Sequence, residues 1–229
     1  YVNGDVANAV RAVQLHSGVR QVSILGYCFG ALLSLMYTAL HQGEVKNLIT
    51  LTIPLDMTVK ELPMSHLAGA MSAKSAEMIT SMYGNAPAWM IAGFFNSMDP
   101  IHHALNKFVT RYRNSARPGF GETFDLFEKW MASDIPLAGK IFRELTTELA
   151  LDNKLMRNMM KLGGETVDLK KVVCPLLNVI GELDDVVHPK QSFGLLDLVN
   201  SNDKSNATFP TGHMGMAVSG PVLKKLWPE

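Results

Sequence analysis

The sequence predicts an α/β fold, a mostly parallel sheet interrupted by an inserted, mainly helical segment. Three observations carry this reading. Residues 21–53 run as strand, glycine turn, helix and strand, the βαβ unit of a buried parallel sheet. Residues 57–161 hold helical stretches and aromatics with little strand signal. Beyond residue 161 short apolar runs alternate with helix signals again. The expected organisation is a core in two pieces, 1–56 and 162–229, with 57–161 inserted between them.

The elements follow in order. Residues 5–17 put Val6, Ala9, Val10, Val13 and Leu15 at the apolar positions of an amphipathic helix, and Gly18 ends it as a C′ glycine does. A β-branched run at 21–25 predicts a strand. Gly26-Tyr27-Cys28-Phe29-Gly30 follows, then an apolar helix over 31–41. Residues 45–53 predict a second strand, closed by Pro54. In the insertion Met64, Met71 and Met78 recur every seven residues, which predicts a core stripe on one helix. The alternative is a pliable apolar wall for a flexible ligand. Gly163-Gly164 marks a turn. Residues 175–180 predict a buried strand, 189–199 a helix opened by Pro189, and 207–209 a short strand. His213 is expected in a loop over 211–215, and a last helix over 218–227 with Pro221 in its first turn.

Lys plus Arg total 21 and Asp plus Glu total 21, so the formal net charge is zero. With no basic run, nucleic acid and anionic lipid are poor partners. Hydrophobic residues make up 47% and charged residues 18%, enough apolar material for a full core. The longest apolar stretch, around 31–40, is broken by Ser34 and Thr38 and falls short of the ~20 residues a membrane span needs. Cys28 and Cys174 make no disulfide framework, so a reduced, cytoplasmic protein is expected.

The chemistry concentrates at Gly26-x-Cys28-x-Gly30, set between a strand and a helix. A residue at the tip of so tight a turn is presented as a nucleophile. Glycine is expected at both Gly26 and Gly30, because flanking side chains would clash. The helix N-terminus favours the thiolate, and the Phe29 amide would face a developing oxyanion. The bland reading is a buried cysteine in a glycine turn. A nucleophile needs a base and the base an orienting acid. In chain order these are Asp184, after a buried strand, and His213, flanked by Gly212 and Gly215. Asp185 competes with Asp184. His102 and His103 are adjacent, and His188 precedes Pro189. No pair has metal-ligand spacing, so no metal is expected. Cys174 reads as an inert buried thiol.

These residues resemble polyhydroxyalkanoate synthases of the PhaC type. The segments that carry the likeness are GYCFGALLSLMYTAL with KNLITLTIPLD, EKWMASDIPLAGKIFRELTTELALDNKL, VDLKKVVCPLLNVIGELDD and FPTGHMGMAVSG. The likeness looks closest to the two-component classes III and IV. It implies an α/β-hydrolase core with an inserted lid, a catalytic Cys28, an acid at Asp184 and a general base at His213. It further implies (R)-3-hydroxyacyl-coenzyme A and a polyester chain as substrates, with coenzyme A as leaving group and no cofactor. A homodimer, a second synthase subunit and the polyester granule surface are implied as its setting. The pattern departs at Ala31, where a glycine is usual, and at Ser133 followed by Asp134, where an aspartate usually stands three residues after the match to Trp130. Family members carry a long segment before the elbow, whereas one strand precedes it here. The expectation is an N-terminally truncated synthase, poorly soluble and nearly inactive alone, with an unpaired apolar strand edge near 21–25 or 47–53. The alternative activity is a thioesterase or a dienelactone-hydrolase-like cysteine hydrolase, and the non-enzyme alternative is a granule-binding protein.

Overall fold

The computed structural model describes residues 1–59, 71–98, 107–116, 119–131, 135–218, 222 and 224. His102, His103, Met64, Ser133, Asp134 and Pro221, all singled out above, lie outside the described residues. The chain divides into two compact units, one of residues 1–65 with 148–229 and one of residues 66–147. The second unit is shorter than the insertion expected at 57–161.

The first unit opens with a π-helical turn at Val2–Val6 and helix α1 at Ala7–Ser17, ended by Gly18 at φ 68°. Strand β1 is Val22–Tyr27, helix α2 is Phe29–Leu40 and strand β2 is Val45–Leu51. Helix α2 buries Ala31, Leu32, Leu35, Met36, Tyr37 and Ala39, nearly its whole circumference. Each buried Leu contributes about 1.5–3 kcal/mol. Its buried hydroxyls turn inward on the helix: Thr38 donates to the Ser34 carbonyl at 2.7 Å.

In the second unit, α3 (Ala73–Tyr83), α4 (Ala88–Met98), α5 (Lys107–Arg113), α6 (Phe120–Met131) and α7 (Gly139–Glu144) follow. Its core is Ala76, Ala86 and Phe142, with Met71, Ile79, Met90, Ile91 and Leu137 packed around it. The methionine stripe expected here is not one buried face. Met71 precedes α3 and packs on that core, while Met78 is 60% exposed. The inward face of α3 is made by small residues, Ala76 and Thr80.

Back in the first unit, Lys161–Leu162 (β3) and Glu165–Thr166 (β4) pair antiparallel across Gly163 and Gly164, which supply the positive φ of the turn. Strand β5 is Leu176–Gly181. The single helix expected at 189–199 is two short ones, α8 (Pro189–Phe193) and α9 (Leu195–Leu198), with Gly194 between them. Strand β6 is Lys204–Phe209, and α10 is His213–Val218. His213 therefore opens a short helix rather than sitting in a loop.

The sheet order is β1-β2-β5-β6, all parallel. Among the described residues β1 has a strand neighbour on one side only, and its Leu25 is exposed. Strand β2 pairs on both sides, so the edge is at β1 and not at 47–53. Parallel strands end at a common edge, where the chain leaves β1, β5 and β6 for Cys28, Asp184 and His213. A polar ladder crosses the buried middle of the sheet. Thr50 donates to Asn178 Oδ1 at 2.9 Å, and Asn178 Nδ2 donates to the Ser192 carbonyl and to Asn206 Oδ1.

The two elbow glycines differ. A Cβ on Gly26 would lie 2.6 Å from both the Ala31 Cα and the Gly30 carbonyl oxygen, so only glycine lets α2 pack so close to β1. A Cβ on Gly30 would meet nothing within 4 Å, and the steric reason expected for Gly30 does not hold. Gly26→Ala should lose about 3 kcal/mol of stability or fail to fold, since the obstacle is backbone. Gly30→Ala should be neutral or gain about 0.5–1 kcal/mol. Urea unfolding of the two variants checks the pair.

Candidate active site

Cys28 stands between β1 and α2 with φ 54° and ψ −121°. Such a backbone costs on the order of 1–3 kcal/mol and persists only where its surroundings impose it. Here two hydrogen bonds do so. The Cys28 N–H donates to the Leu51 carbonyl at 2.9 Å, and the Cys28 carbonyl accepts from the Ala31 N–H at 3.0 Å. The thiol is half-buried at the start of α2, beside first-turn N–H groups, Phe29 among them, that have no partner within the helix.

Asp184 lies three residues past β5, with its side chain fully buried. Its Oδ1 accepts from the Val186 and Val187 amides at 2.9 and 2.8 Å. Its Oδ2 meets His213 Nδ1 at 2.8 Å. With both Asp184 oxygens occupied as acceptors, Nδ1 is the donor and Nε2 is left for the thiol. Asp185 is exposed, which separates the two carboxylates offered by the sequence. His188 caps α8 instead: its Nδ1 accepts from the Lys190 amide at 3.3 Å.

Strands β1 and β6 lie three strand intervals apart, roughly 14 Å, yet His213 reaches β1. The chain after β6 achieves this by crossing the end of β5. Glu182 and Leu183 donate to the Phe209 and Thr211 carbonyls at 2.8 and 3.2 Å. A Cβ on Gly181 would lie 2.7 Å from the Thr211 carbonyl, so glycine is required where the segment after β6 passes over the end of β5. At the far end the Tyr27 hydroxyl donates to the His213 carbonyl at 2.9 Å, and the two rings lie 5.0 Å apart.

Burial disfavours charge on the His213 imidazole. Hydrogen bonding to Asp184 and Cys28, with the negative charge of both, outweighs burial and raises its pKa from 6.5 to about 9. Burial also pushes the Tyr27 phenol up, and the charges of Cys28 and Asp184 add to this, so Tyr27 keeps its proton. Among the described residues no group of three His, Cys, Asp or Glu side chains converges as a metal site. No helix among them is long and apolar enough to cross a membrane.

Two residues carry more than their sequence signals. Tyr27 is one, an unremarked position inside the glycine box. Thr52 is the other, directly after β2 and hydrogen-bonded through its N–H to the Val179 carbonyl. It has φ 46°, unusual for a β-branched residue, and its buried hydroxyl has no partner among the described residues. Nothing in the Leu51-Thr52-Ile53 segment marks this beforehand.

The α/β-hydrolase fold family matches residues 1–218. A poly(3-hydroxyalkanoate) polymerase subunit PhaC of Haloarcula marismortui is 33% identical over 100% of this chain and 48% of its own length. That of Allochromatium vinosum is 32% identical over 100% of this chain and 63% of its own length. The chain thus spans about half to under two-thirds of these relatives, and the resemblance read from the sequence is met in their names. Among solved structures, Paleococcus ferrophilus monoacylglycerol lipase has a TM-score of 0.56 at 14% identity, covering 95% of this chain and 69% of its own. Bacillus megaterium epoxide hydrolase has a TM-score of 0.55 at 10% identity, covering 96% and 72%.

The raised pKa of His213 has a sign. Its stabilising charge is fully present below the ordinary 6.5 and is lost as pH rises through about 9. Unfolding free energy, measured by urea from pH 6 to 10, should fall across that window in the wild type, and His213→Gln should flatten the fall. Thr52→Val removes the orphan hydroxyl at nearly constant shape. It should hold or raise the melting temperature, since an unmet buried hydroxyl costs about 1–3 kcal/mol.

Proposed function

The chain belongs to the α/β-hydrolase fold family, and on that premise we propose that it carries the catalytic centre of a polyhydroxyalkanoate synthase. It would transfer (R)-3-hydroxyacyl groups from coenzyme A thioesters to a growing polyester through Cys28, His213 and Asp184. One observation carries the chemistry: the buried Asp184–His213 bond, at 2.8 Å, at the sheet edge where the strained Cys28 begins α2. The polymerase names of relatives that match the whole chain support the substrate class.

The cycle follows from the groups present. Cys28 thiolate attacks the thioester carbonyl, and the oxyanion draws on the Phe29 amide. Coenzyme A leaves and takes the proton of the His213 imidazolium. Exchange of one thioester for another is close to balanced, so loading dissipates little of the driving force. The hydroxyl of the next acyl unit or chain end then attacks the acyl-cysteine, and His213 Nε2 takes its proton while Asp184 holds Nδ1. The ester bond forms as the Cys28 thioester breaks. Acylation also removes the negative charge of Cys28, one of the influences that hold the imidazole protonated. The base is thereby freed for the second step. No cofactor is required, since coenzyme A is only the leaving group.

An acyl-cysteine open to water would be hydrolysed, and we assign the exclusion of water to the helical insertion. The same reading makes a homodimer, a second synthase subunit and the surface of polyester granules its setting.

The test is incubation with (R)-3-hydroxybutyryl-CoA, with and without a second synthase subunit, following coenzyme A release and turbidity. Insoluble polymer supports the reading, and free acid as the only product would replace it with a thioesterase. Cys28→Ala should abolish release with the fold intact; a tenth of the normal rate would remove the nucleophile. Asp184→Asn should impair turnover more than Asp185→Asn.

A further inference from the structure

We infer that Tyr27 is a positioning residue for the base: its hydroxyl ties the segment after β6 to the nucleophile elbow and so fixes the imidazole against the thiol. The inference rests on the acyl-transfer reading of Cys28 and His213 given above.

The geometry assigns the part. His213 begins a helix of only six residues, too short to set its own position. The segment Phe209–His213 must cross the end of β5 to reach β1, roughly 14 Å from where it left the sheet. The amides of Glu182 and Leu183 hold its near end. Its far end, at the catalytic imidazole, is held from two sides. Asp184 fixes the ring through Nδ1 at 2.8 Å, and Tyr27 fixes the backbone through the His213 carbonyl at 2.9 Å. The Tyr27 ring also lies against the imidazole, tilted by 33°. Tyr27 is the residue directly before the nucleophile, so the tie runs from the nucleophile's own strand to the base. One peptide unit joins Tyr27 to Cys28.

The residue type fits this part. A phenol held well above its ordinary pKa neither gives nor takes a proton during turnover, and it remains a donor throughout. It reaches the carbonyl of His213 rather than either ring nitrogen, so it does not compete with Asp184 or with the thiol. Phenylalanine would keep the ring contact and lose only the tie.

The test uses the full chain as wild type, Tyr27→Phe and Tyr37→Phe. Tyr37 is the comparison because its hydroxyl also makes a 2.9 Å bond, to Glu44. The readout is the rate at which iodoacetamide alkylates Cys28 across pH, followed by mass spectrometry on the peptide that contains it, beside the melting temperature. In Tyr27→Phe the alkylation rate at neutral pH should fall roughly threefold to tenfold, because the imidazole is no longer held against the thiol. The pH profile should differ from that of the wild type, and melting should change little. Tyr37→Phe should keep the wild-type profile. An unchanged rate and profile in Tyr27→Phe overturns the inference. Failure of Tyr27→Phe to fold also overturns it, because the hydroxyl would then be a stability element. If Tyr27→Phe lowers the alkylation rate but the wild type releases no coenzyme A from 3-hydroxyacyl-CoA, the acyl-transfer reading fails and the tie at Tyr27 stands.

Discussion

The site depends on one crossing. Cys28 and His213 follow strands at opposite ends of the β1-β2-β5-β6 order, and the segment after β6 must pass over the end of β5 to bring them together. Two glycines make the close approaches possible. Gly181 lets the Thr211 carbonyl rest on β5, and Gly26 lets α2 pack against β1 so that the turn at Cys28 can close. Neither position tolerates a Cβ without backbone movement. The spatial relation of Cys28, Asp184 and His213 is thus set by backbone approach before any side-chain contact is counted.

Strain and charge concentrate at the same edge. Cys28 and Thr52 adopt positive φ at the ends of neighbouring strands, and Cys28 is pinned there by the carbonyl of Leu51. The buried carboxylate of Asp184 is satisfied by two amides and an imidazole, which is what allows a charge to sit with no exposure. The imidazole answers to charges on both sides, which together outweigh burial and raise its pKa. A site of this kind can use the same histidine as proton donor to one thiol and, after acylation, as base toward a hydroxyl.

Much of this was legible in the sequence because its causes are local. The βαβ unit, the C′ glycine at Gly18, the Gly163-Gly164 turn and the box around Cys28 each declare themselves within a few residues. The chain order of Cys28, Asp184 and His213 carried the site. Tertiary causes were hidden. Gly30 lies inside the box, yet its Cβ position is open, whereas Gly181 looks like any strand-end glycine and is the one the crossing requires. The methionine spacing suggested a stripe, but the inward face of α3 is made by Ala76 and Thr80 and leaves Met78 outside. The choice between Asp184 and Asp185 follows from burial, and the contacts of Tyr27 lie far away in the chain.

The central claim is that Cys28 carries the acyl group. Brief incubation with a (R)-3-hydroxyacyl-CoA, acid quench and mass spectrometry of the peptides tests it most directly. The account predicts a 3-hydroxyacyl mass increment on the peptide that contains Cys28, labile to hydroxylamine as a thioester is. Release of coenzyme A with no adduct on Cys28, or with the adduct on another residue, would contradict it.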